Sequence, residues 1–508
     1  MPLRESVSEQ LLPVLEWLAA EPDADPVADL TALRGHLTSL PASISSSAEG
    51  RECVEQLAAR ALDACDRFKP RLLDVALPLP RQLNVASVEL VAAMLDLAGF
   101  FLCLAESIGE RRVLARRQDP SAFVSHGLRL VREAFLVSAM GGGVVPSGLW
   151  SRAYRLFADS AGDGGADGQP EGERDAAALD FKRLLALAAL QPESLTAREL
   201  AWSDDYLEAA AGAADVSRTP LQPTASAFWI DAGADAGPVA MVRESSPAVA
   251  GLLYFSAHGV SRRAASHVAW LSARMADAET EGECRGGTEL LMPDAEGLPV
   301  GLTPAEALSL LERMRDRWAS PPNRAQSRRA QQYTVEVCAG LRAIWDANRR
   351  GADSSGIVEW TVYNESPGGY AVMAVAGVAG TLSAGMPIAL RRDAGQPWSI
   401  CLVRWLRSDQ PDRAELGLQL IAQSCTPVAV GFRGGDVRMT VPALILPPKA
   451  ALRRNQAILA PAGTYTSRGF SLVHEGDRVY VAQARVLSLD MQTANVELFQ
   501  YEIDPYPG

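Results

Sequence analysis

The spacing of hydrophobic positions divides the chain into a helical first half and a strand-rich second half. Up to about residue 215, apolar side chains recur every three or four positions, as on one face of a helix. Beyond residue 225 they alternate with polar side chains or form short apolar runs, which indicates strands. The pattern predicts a multidomain α+β protein. Its first-half helices are expected over residues 10–20, 51–68, 85–108, 122–140, 149–158, 176–190 and 196–213.

Glycine, proline and capping residues mark the ends of these elements. Residues 141–143, three consecutive glycines, are expected to end a helix, because a phosphate-binding loop would need a preceding strand and a following Lys. Thr196 and Thr303 are each followed three positions later by Glu, which is typical of a capping box at a helix start. Pro321 and Pro322 stop the helix that begins at Thr303.

The middle of the chain changes to shorter elements. Strands are predicted over 228–230, 239–243 and 252–255, followed by a helix over 264–276. We interpret residues 1–215 as a helical domain, 216–302 as a small α+β module and 303–332 as a connecting helix with an Arg-rich linker. No motif in the α+β module identifies a function.

The C-terminal part is predicted to be β-rich throughout. In residues 333–425 we expect an antiparallel barrel, and in residues 426–508 additional strands that could form a second barrel packed on the first. The strands of the first barrel are predicted over 333–338, 358–362, 370–376, 387–392, 398–406 and 416–421. The later strands are predicted over 437–446, 457–460, 470–473, 479–489 and 495–501.

Five residues near the predicted first barrel carry the candidate chemistry. Arg324 and Arg328 precede the first strand, and Arg can bond phosphate, bond guanine edges and stack on a ring. Asn364 and Ser366 supply short polar groups that can bond base edges. Gly369 permits a positive φ or a close approach of the backbone to a ligand. The sequence therefore predicts a nucleotide-binding turn and linker.

Each half of this pattern also has an ordinary explanation. An Arg pair four residues apart is often a solvated helix face. Asn, Ser, Pro and Gly favour turns whether or not a ligand is present. Gly368 lies beside Gly369, so either could fill the glycine position, and residues 346–357 look like an insertion in the first hairpin. The ordered spacing of both halves beside strands favours the nucleotide-binding interpretation.

The two motifs resemble those of the PilZ family of cyclic di-GMP receptors. That family has Arg-x-x-x-Arg just before a six-stranded barrel and Asp/Asn-x-Ser-x-x-Gly between early strands. The resemblance covers about 100 of the 508 residues. It implies that cyclic di-GMP binds at Arg324, Arg328, Asn364, Ser366 and Gly369, with Arg329 as a helper. The Arg pair would clamp phosphate and guanine while the turn bonds the other base. The strands after residue 425 show no matching motif, so no second ligand is expected there.

Charge narrows the range of partners. The net charge of −13 argues against a general nucleic-acid or acidic-lipid binder, which would need a basic surface. Residues 311–350 reverse this balance, with nine Arg against four acids. A doubly anionic ligand would be drawn to this segment. We expect no nucleic-acid partner and no membrane insertion, since the apolar stretch from Leu90 to Ala105 falls short of a bilayer span.

Cysteine and histidine usage gives no sign of a metal site. The seven Cys form no CxxC pair, and the five His lack the spacing of metal ligands. Such free thiols fit a reducing compartment, and the polar N-terminus shows no secretory signal. The sequence predicts a cytoplasmic protein without a metal or other cofactor.

Enzyme signatures are also missing. Residues 306–308 and 434–436 resemble fragments of cyclic di-GMP hydrolase and cyclase signatures, but the accompanying residues are not there. We found no nucleophile elbow, P-loop or dinucleotide fingerprint, and hence no catalytic residue.

Three functions follow from these patterns, in order of preference. The first is a non-enzymatic receptor that binds cyclic di-GMP, changes its interdomain arrangement and signals to an unknown protein partner through its helical half. The main alternative is an adaptor or structural protein whose barrel has lost the ligand. A hydrolase of the dinucleotide comes third. Ligand binding without turnover distinguishes the first from the other two.

Overall fold

The helical first half packs around one core, as the apolar periodicity predicts. The structure, a computed structural model, describes residues 2–40, 44, 47–111, 121–160, 171–280, 290–292, 297–322, 329–350, 356–375, 380–432, 440–449, 453–475 and 479–504. The helices of this half are α1 (Pro2–Ala19), α2 (Pro26–Ser39), α3 (Ala48–Phe68), α4 (Arg81–Arg111), α5 (Ser121–Met140), α6 (Leu149–Ser160), α7 (Glu171–Ala189) and α8 (Ala197–Ala210).

Local signals explain where several of these helices begin. The predicted capping box at α8 is confirmed: the Thr196 hydroxyl accepts from the Glu199 amide, and the Glu199 carboxylate accepts from the Thr196 amide. The sequence prediction missed α2, although Pro26 at its first position is typical of a helix start. That helix is capped by Asp25 and held by buried leucines of its inner face.

Helix α4 is the most apolar element of the bundle. Over 81–107 it is long and apolar enough to cross a membrane by length and composition alone, although 61% of its most apolar window is buried inside the protein. Leu90, Met94 and Phe101 are completely buried against neighbouring helices. This packing makes α4 a core helix of the bundle.

The middle module shares its core with the helical half. It contains a four-stranded antiparallel sheet in the order β1-β4-β2-β3. The Trp318 indole donates to the Ala186 carbonyl of α7 at 2.9 Å. One continuous apolar cluster runs from Leu11 to Trp318. The limits at 215 and 302 stay a prediction. The elements are β1 (Asp215–Ser217), β2 (Ala227–Ile230), β3 (Val239–Ala240), β4 (Leu253–Ser256), α9 (His258–Thr280) and α10 (Pro304–Ala319).

The predicted first barrel is confirmed as a closed antiparallel barrel of six strands. Its strands pair in the order β5-β6-β7-β10-β9-β8, and β8 closes back on β5. The connection that looked like an insertion contains a helix, α11 (Leu341–Arg350), which was not predicted. The strands are β5 (Arg329–Ala339), β6 (Ile357–Ser366), β7 (Gly369–Val375), β8 (Pro387–Arg391), β9 (Ser399–Gln410) and β10 (Arg413–Ala422).

The later strands form a second closed barrel with the same topology. Its strands pair in the order β11-β12-β13-β16-β15-β14. If the strands of each barrel are numbered from one to six, both orders become 1-2-3-6-5-4. The strands are β11 (Thr426–Phe432), which was not predicted, β12 (Val441–Leu446), β13 (Ala457–Pro461), β14 (Gly469–Glu475), β15 (Val479–Gln492) and β16 (Val496–Ile503).

Helix α11 joins the two barrels. Ile344 and Trp345 belong to an apolar cluster that includes Ile400 of the first barrel and Leu444 of the second. The Trp345 indole also donates to the Val428 carbonyl at 2.7 Å. The barrels are therefore packed on each other, as the sequence suggested.

The first barrel is fixed to the helical half at one end. The Leu77 amide donates to the Leu382 carbonyl at 2.7 Å, and the Leu382 amide donates back to Leu77 at 2.8 Å. The Ser408 amide donates to the Gly142 carbonyl at 2.7 Å. Leu382 precedes β8 and Ser408 lies near the end of β9. In an antiparallel barrel the β6–β7 turn therefore lies at the opposite end.

Candidate functional site

The turn that carries the Asn-x-Ser-x-x-Gly motif is the tight hairpin between β6 and β7. Ser366 pairs directly with Gly369, so only Pro367 and Gly368 form the turn. The Ser366 hydroxyl donates to the Gly369 carbonyl at 3.3 Å. The Gly368 carbonyl accepts from the Leu420 amide at 2.9 Å, which ties the turn to β10. The motif residues are therefore presented by a short, well-bonded hairpin.

Gly369 is needed for close packing rather than for a positive φ. A Cβ at this position would lie 1.9 Å from the Leu418 carbonyl oxygen of β10. No L side chain fits at that distance, and the φ of Gly369 is not in the left-handed region. This backbone contact assigns the steric requirement to Gly369.

Asn364 presents a polar atom that the protein leaves unpaired. Its Oδ1 is buried and accepts no hydrogen bond from any residue that the structure describes. Its partners on the neighbouring strands are Ala330 and Ala371, whose side chains are small and apolar. A buried acceptor without a partner costs roughly 1–3 kcal/mol, so such an atom marks a position where a ligand donor would be favourable.

The strand register separates the motif side chains onto two faces of the barrel wall. Glu365 pairs with Arg329 on one side and Tyr370 on the other, so these three side chains share a face. Tyr370 packs against the barrel core, which makes this the inner face at the barrel mouth. Asn364 and Ser366 flank Glu365 and point to the outer face, because successive strand residues alternate.

A second group of side chains, Tyr333, Glu365 and Arg392, lies at the rim of the same mouth. The Tyr333 hydroxyl donates to Glu365 Oε2 at 2.6 Å. Arg392, which directly follows β8, donates to the same oxygen at 3.3 Å. Its guanidinium carbon lies 4.1 Å from the Tyr333 ring centre. We call these three residues the rim group.

Burial keeps the phenols of this end of the barrel neutral. Burial and the hydrogen bond to Glu365 raise the pKa of Tyr333. Burial, with a smaller contribution from Cys401, raises the pKa of Tyr370 to about 12. Hydrogen bonding to Tyr333 raises the pKa of Arg392 further above its ordinary value. The rim therefore offers neutral hydroxyls and a permanent cation near neutral pH.

The predicted arginines differ in what the structure describes of them. Arg324 and Arg328 belong to residues 323–328, which lie outside the described residues. Arg329 is exposed at the start of β5, opposite Glu365. Just before this segment, the Pro322 carbonyl accepts from Arg243 Nε at 3.1 Å and Nη2 at 2.9 Å. The chain is thus anchored to the middle module before it enters the Arg segment.

The structure brings together four predicted residues and adds others that the sequence analysis missed. Arg329, Asn364, Ser366 and Gly369 lie at one end of the first barrel. Glu365 and Arg392 lie beside these residues and were not among the predicted site residues, although Glu365 lies inside the motif itself. Within the described ranges, no three His, Cys, Asp or Glu side chains group as they would around a metal ion.

Comparison with known proteins gives two matches to family models. Residues 13–222 match the N-terminal domain of the cyclic-di-GMP receptor FimW, and residues 346–427 match the middle PilZ domain of that receptor. The second match contains Asn364, Ser366 and Gly369, and it begins after β5. The matched range therefore includes the β6–β7 turn but not Arg324 and Arg328.

A curated relative agrees with these matches over a shorter stretch. The chain is similar to the cyclic-di-GMP receptor FimW of Pseudomonas aeruginosa, with 31% identity over 102 residues. The aligned stretch is 20% of this chain and 17% of the relative, so most of the relative's length lies outside the alignment.

Proposed function

We propose a receptor function for this chain on the premise that it belongs to the family of PilZ-domain cyclic di-GMP receptors. In this proposal the first barrel binds cyclic di-GMP without turning it over. The ligand lies across the β6–β7 hairpin, next to the Arg segment that leads into β5. Arg324, Arg328, Asn364, Ser366 and Gly369 form the site, with Arg329 as a helper.

Each residue has a distinct part in the proposal. Arg324 and Arg328 bond phosphate and guanine, since a guanidinium matches both in bidentate geometry. Asn364 accepts from a base N–H group, and Ser366 bonds the same base edge. Gly369 keeps the hairpin pressed against β10, which holds Asn364 and Ser366 in place. Charge supports this position, because residues 311–350 carry nine Arg in an acidic protein.

The observation that carries the proposal is the unpaired Oδ1 of Asn364. It lies in the motif that the family match covers, and it is buried without a hydrogen-bond donor among the described residues. Proteins rarely leave a buried acceptor unpaired, and such exceptions call for an explanation. A base N–H of the ligand supplies the missing donor.

The signalling part of the proposal concerns the helical half. We propose that binding changes the arrangement of the barrel and the helical half, and that a protein partner recognises this change. The Leu77–Leu382 and Ser408–Gly142 hydrogen bonds support a direct mechanical connection between the two parts. The proposed setting is the bacterial cytoplasm, in line with the free thiols of the described cysteines.

Calorimetric titration of cyclic di-GMP into the purified full chain tests this function. We expect binding at low-micromolar concentration or tighter, and its loss in Arg328→Ala. Asn364→Ala should weaken binding about tenfold, the value of roughly one hydrogen bond. Arg413→Ala at the other end of the barrel is the matched control and should bind like the wild type.

The same experiment separates the alternatives. GTP and cyclic di-AMP are the ligand controls, and the ligand should be recovered intact after incubation. If the folded wild type binds no cyclic di-GMP in two independent assays, the receptor proposal is overturned and the adaptor function remains. Consumption of the ligand would instead indicate the hydrolase.

A further inference from the structure

The rim group places a flat cation at an exposed position beside the proposed ligand site. Tyr333, Glu365 and Arg392 come from β5, from β6 and from the residue after β8, three neighbouring strands of one barrel end. The Arg392 side chain is 55% exposed, yet its position is fixed by two contacts. One is the Tyr333 ring beneath the guanidinium, and the other is the Glu365 carboxylate at its edge.

More than half of the Arg392 side chain is exposed, and among the described residues only one face of its guanidinium has a stacking partner. Tyr333 occupies the first face, and no other ring among the described residues stacks on Arg392. Guanidinium groups stack well on aromatic surfaces because they are planar and weakly hydrated. An exposed arginine normally loses considerable side-chain entropy when it is fixed for stacking. Here the two contacts have already fixed it, so a planar base can stack at little further cost.

We propose that Arg392 stacks on a purine base of the dinucleotide bound at the first barrel, with Tyr333 and Glu365 as positioning residues. The inference rests on the proposed function and deepens it. A cyclic dinucleotide has two bases. Asn364 and Ser366 face outward and take one base, whereas Arg392 at the rim takes the other. The base, the guanidinium and the Tyr333 ring then form a three-layer stack, with Glu365 holding the middle layer.

Two substitutions at Arg392 separate stacking from charge. Arg392→Gln removes both the cation and the extended planar group. Arg392→Lys keeps the cation but lacks the planar guanidinium. Arg413→Gln is the control, because Arg413 is also an exposed arginine paired with a glutamate, Glu415, at the other end of the barrel. All three variants are titrated with cyclic di-GMP as full chains, and their melting temperatures are measured.

We expect both Arg392 variants to bind about tenfold more weakly than the wild type, because one base stack is lost. Melting temperatures should stay within about two degrees of the wild type, as for other exposed substitutions. Tyr333→Phe keeps the ring but loses the hydrogen bond to Glu365. It should weaken binding less than Arg392→Lys does. This order of effects would not arise if the rim group served only to stabilise the barrel.

The outcomes distinguish this inference from the function on which it rests. If the wild type binds and Arg392→Lys binds equally well, the cation alone acts and the stacking inference is overturned. If Arg392→Gln also binds like the wild type, Arg392 makes no ligand contact at all. If the wild type does not bind, the receptor function fails and the inference fails with it.

Discussion

In the proposed site, Gly369 acts on the shape of the hairpin and not by touching the ligand. Its hydrogen in place of a side chain allows the hairpin to lie directly on the Leu418 carbonyl. A larger residue would push the hairpin outward and displace Asn364 and Ser366. The motif glycine therefore acts through the position of the turn.

Gly369→Ala should lower both stability and binding. The added methyl group would overlap a backbone carbonyl, which cannot move as a flexible side chain can. We therefore expect the free energy of unfolding to fall by about 2–4 kcal/mol. Gly395→Ala is the control, because a Cβ there would meet no atom within 4 Å. Urea denaturation measures both variants. Equal stabilities for the two would contradict the close packing seen at Gly369.

Sequence reasoning found the turn residues because their pattern is local. Asn364, Ser366 and Gly369 lie within six positions of one hairpin, and their types already suggest their chemistry. Arg392 could not be found in this way. Its contacts with Tyr333 and Glu365 depend on how β8, β5 and β6 are placed side by side in the barrel. Only the tertiary structure brings them together.

At the level of elements, the sequence analysis predicted most helices and barrel strands and missed α2, α11 and β11. Most helices and barrel strands follow their apolar patterns. Helix α11 was missed because it is short and follows directly on a strand, and its Ile344 and Trp345 are buried only between the two barrels. Its Leu, Ala and Arg residues are good helix formers, and Leu341, Ile344 and Trp345 share one apolar face, so the sequence did contain a helix signal there.

The helical half contains a buried charge network that links several helices. Arg132 of α5 donates to Asp204 of α8 at 2.5 Å and to Glu133 at 2.8 Å. It also contacts Asp180 of α7 at 3.3 Å, and Glu133 pairs with Lys69 at 3.1 Å. Burial alone would raise the pKa of Glu133, but Arg132 and Lys69 outweigh it and lower that pKa. The network depends on all its charges being present.

Arg132→Met should destabilise the helical half by about 3–5 kcal/mol, because it removes the cation that the buried carboxylates of Glu133, Asp180 and Asp204 share. Arg155→Met, which breaks an exposed ion pair with Glu106, is the control and should cost about 1 kcal/mol or less. Urea denaturation followed by circular dichroism measures both. Similar losses for both variants would contradict the network's role.

The lowered folded-state pKa of Glu133 also makes stability depend on pH. Its contribution to the free energy of unfolding is fully present above the ordinary pKa of 4.5 and is lost as acid protonates the folded form.

For the whole molecule, the contact between the helical half and the first barrel is the critical feature. Leu77 lies at this contact and packs against the cores of both parts. Movement of the barrel relative to the helices must therefore disturb Leu77 and the backbone bonds beside it.

Leu77→Ala should loosen this contact without unfolding either part. We expect the Gly380, Leu382 and Ser408 amides to exchange their hydrogens roughly tenfold faster, since about 1.4 kcal/mol of local stability is lost. Leu487→Ala, at an exposed position of the second barrel, is the control. Hydrogen exchange with mass spectrometry reports both. Unchanged exchange at these amides would show that the backbone bonds alone hold the contact.

The repeated strand order of the two barrels allows their connections to be compared one by one. The β6–β7 turn of the first barrel corresponds to the β12–β13 connection of the second. There Lys449 donates to the Leu420 carbonyl at 2.9 Å and Arg453 to the Ile421 carbonyl at 3.2 Å. The connection that takes the place of the proposed ligand turn thus holds the second barrel to the first.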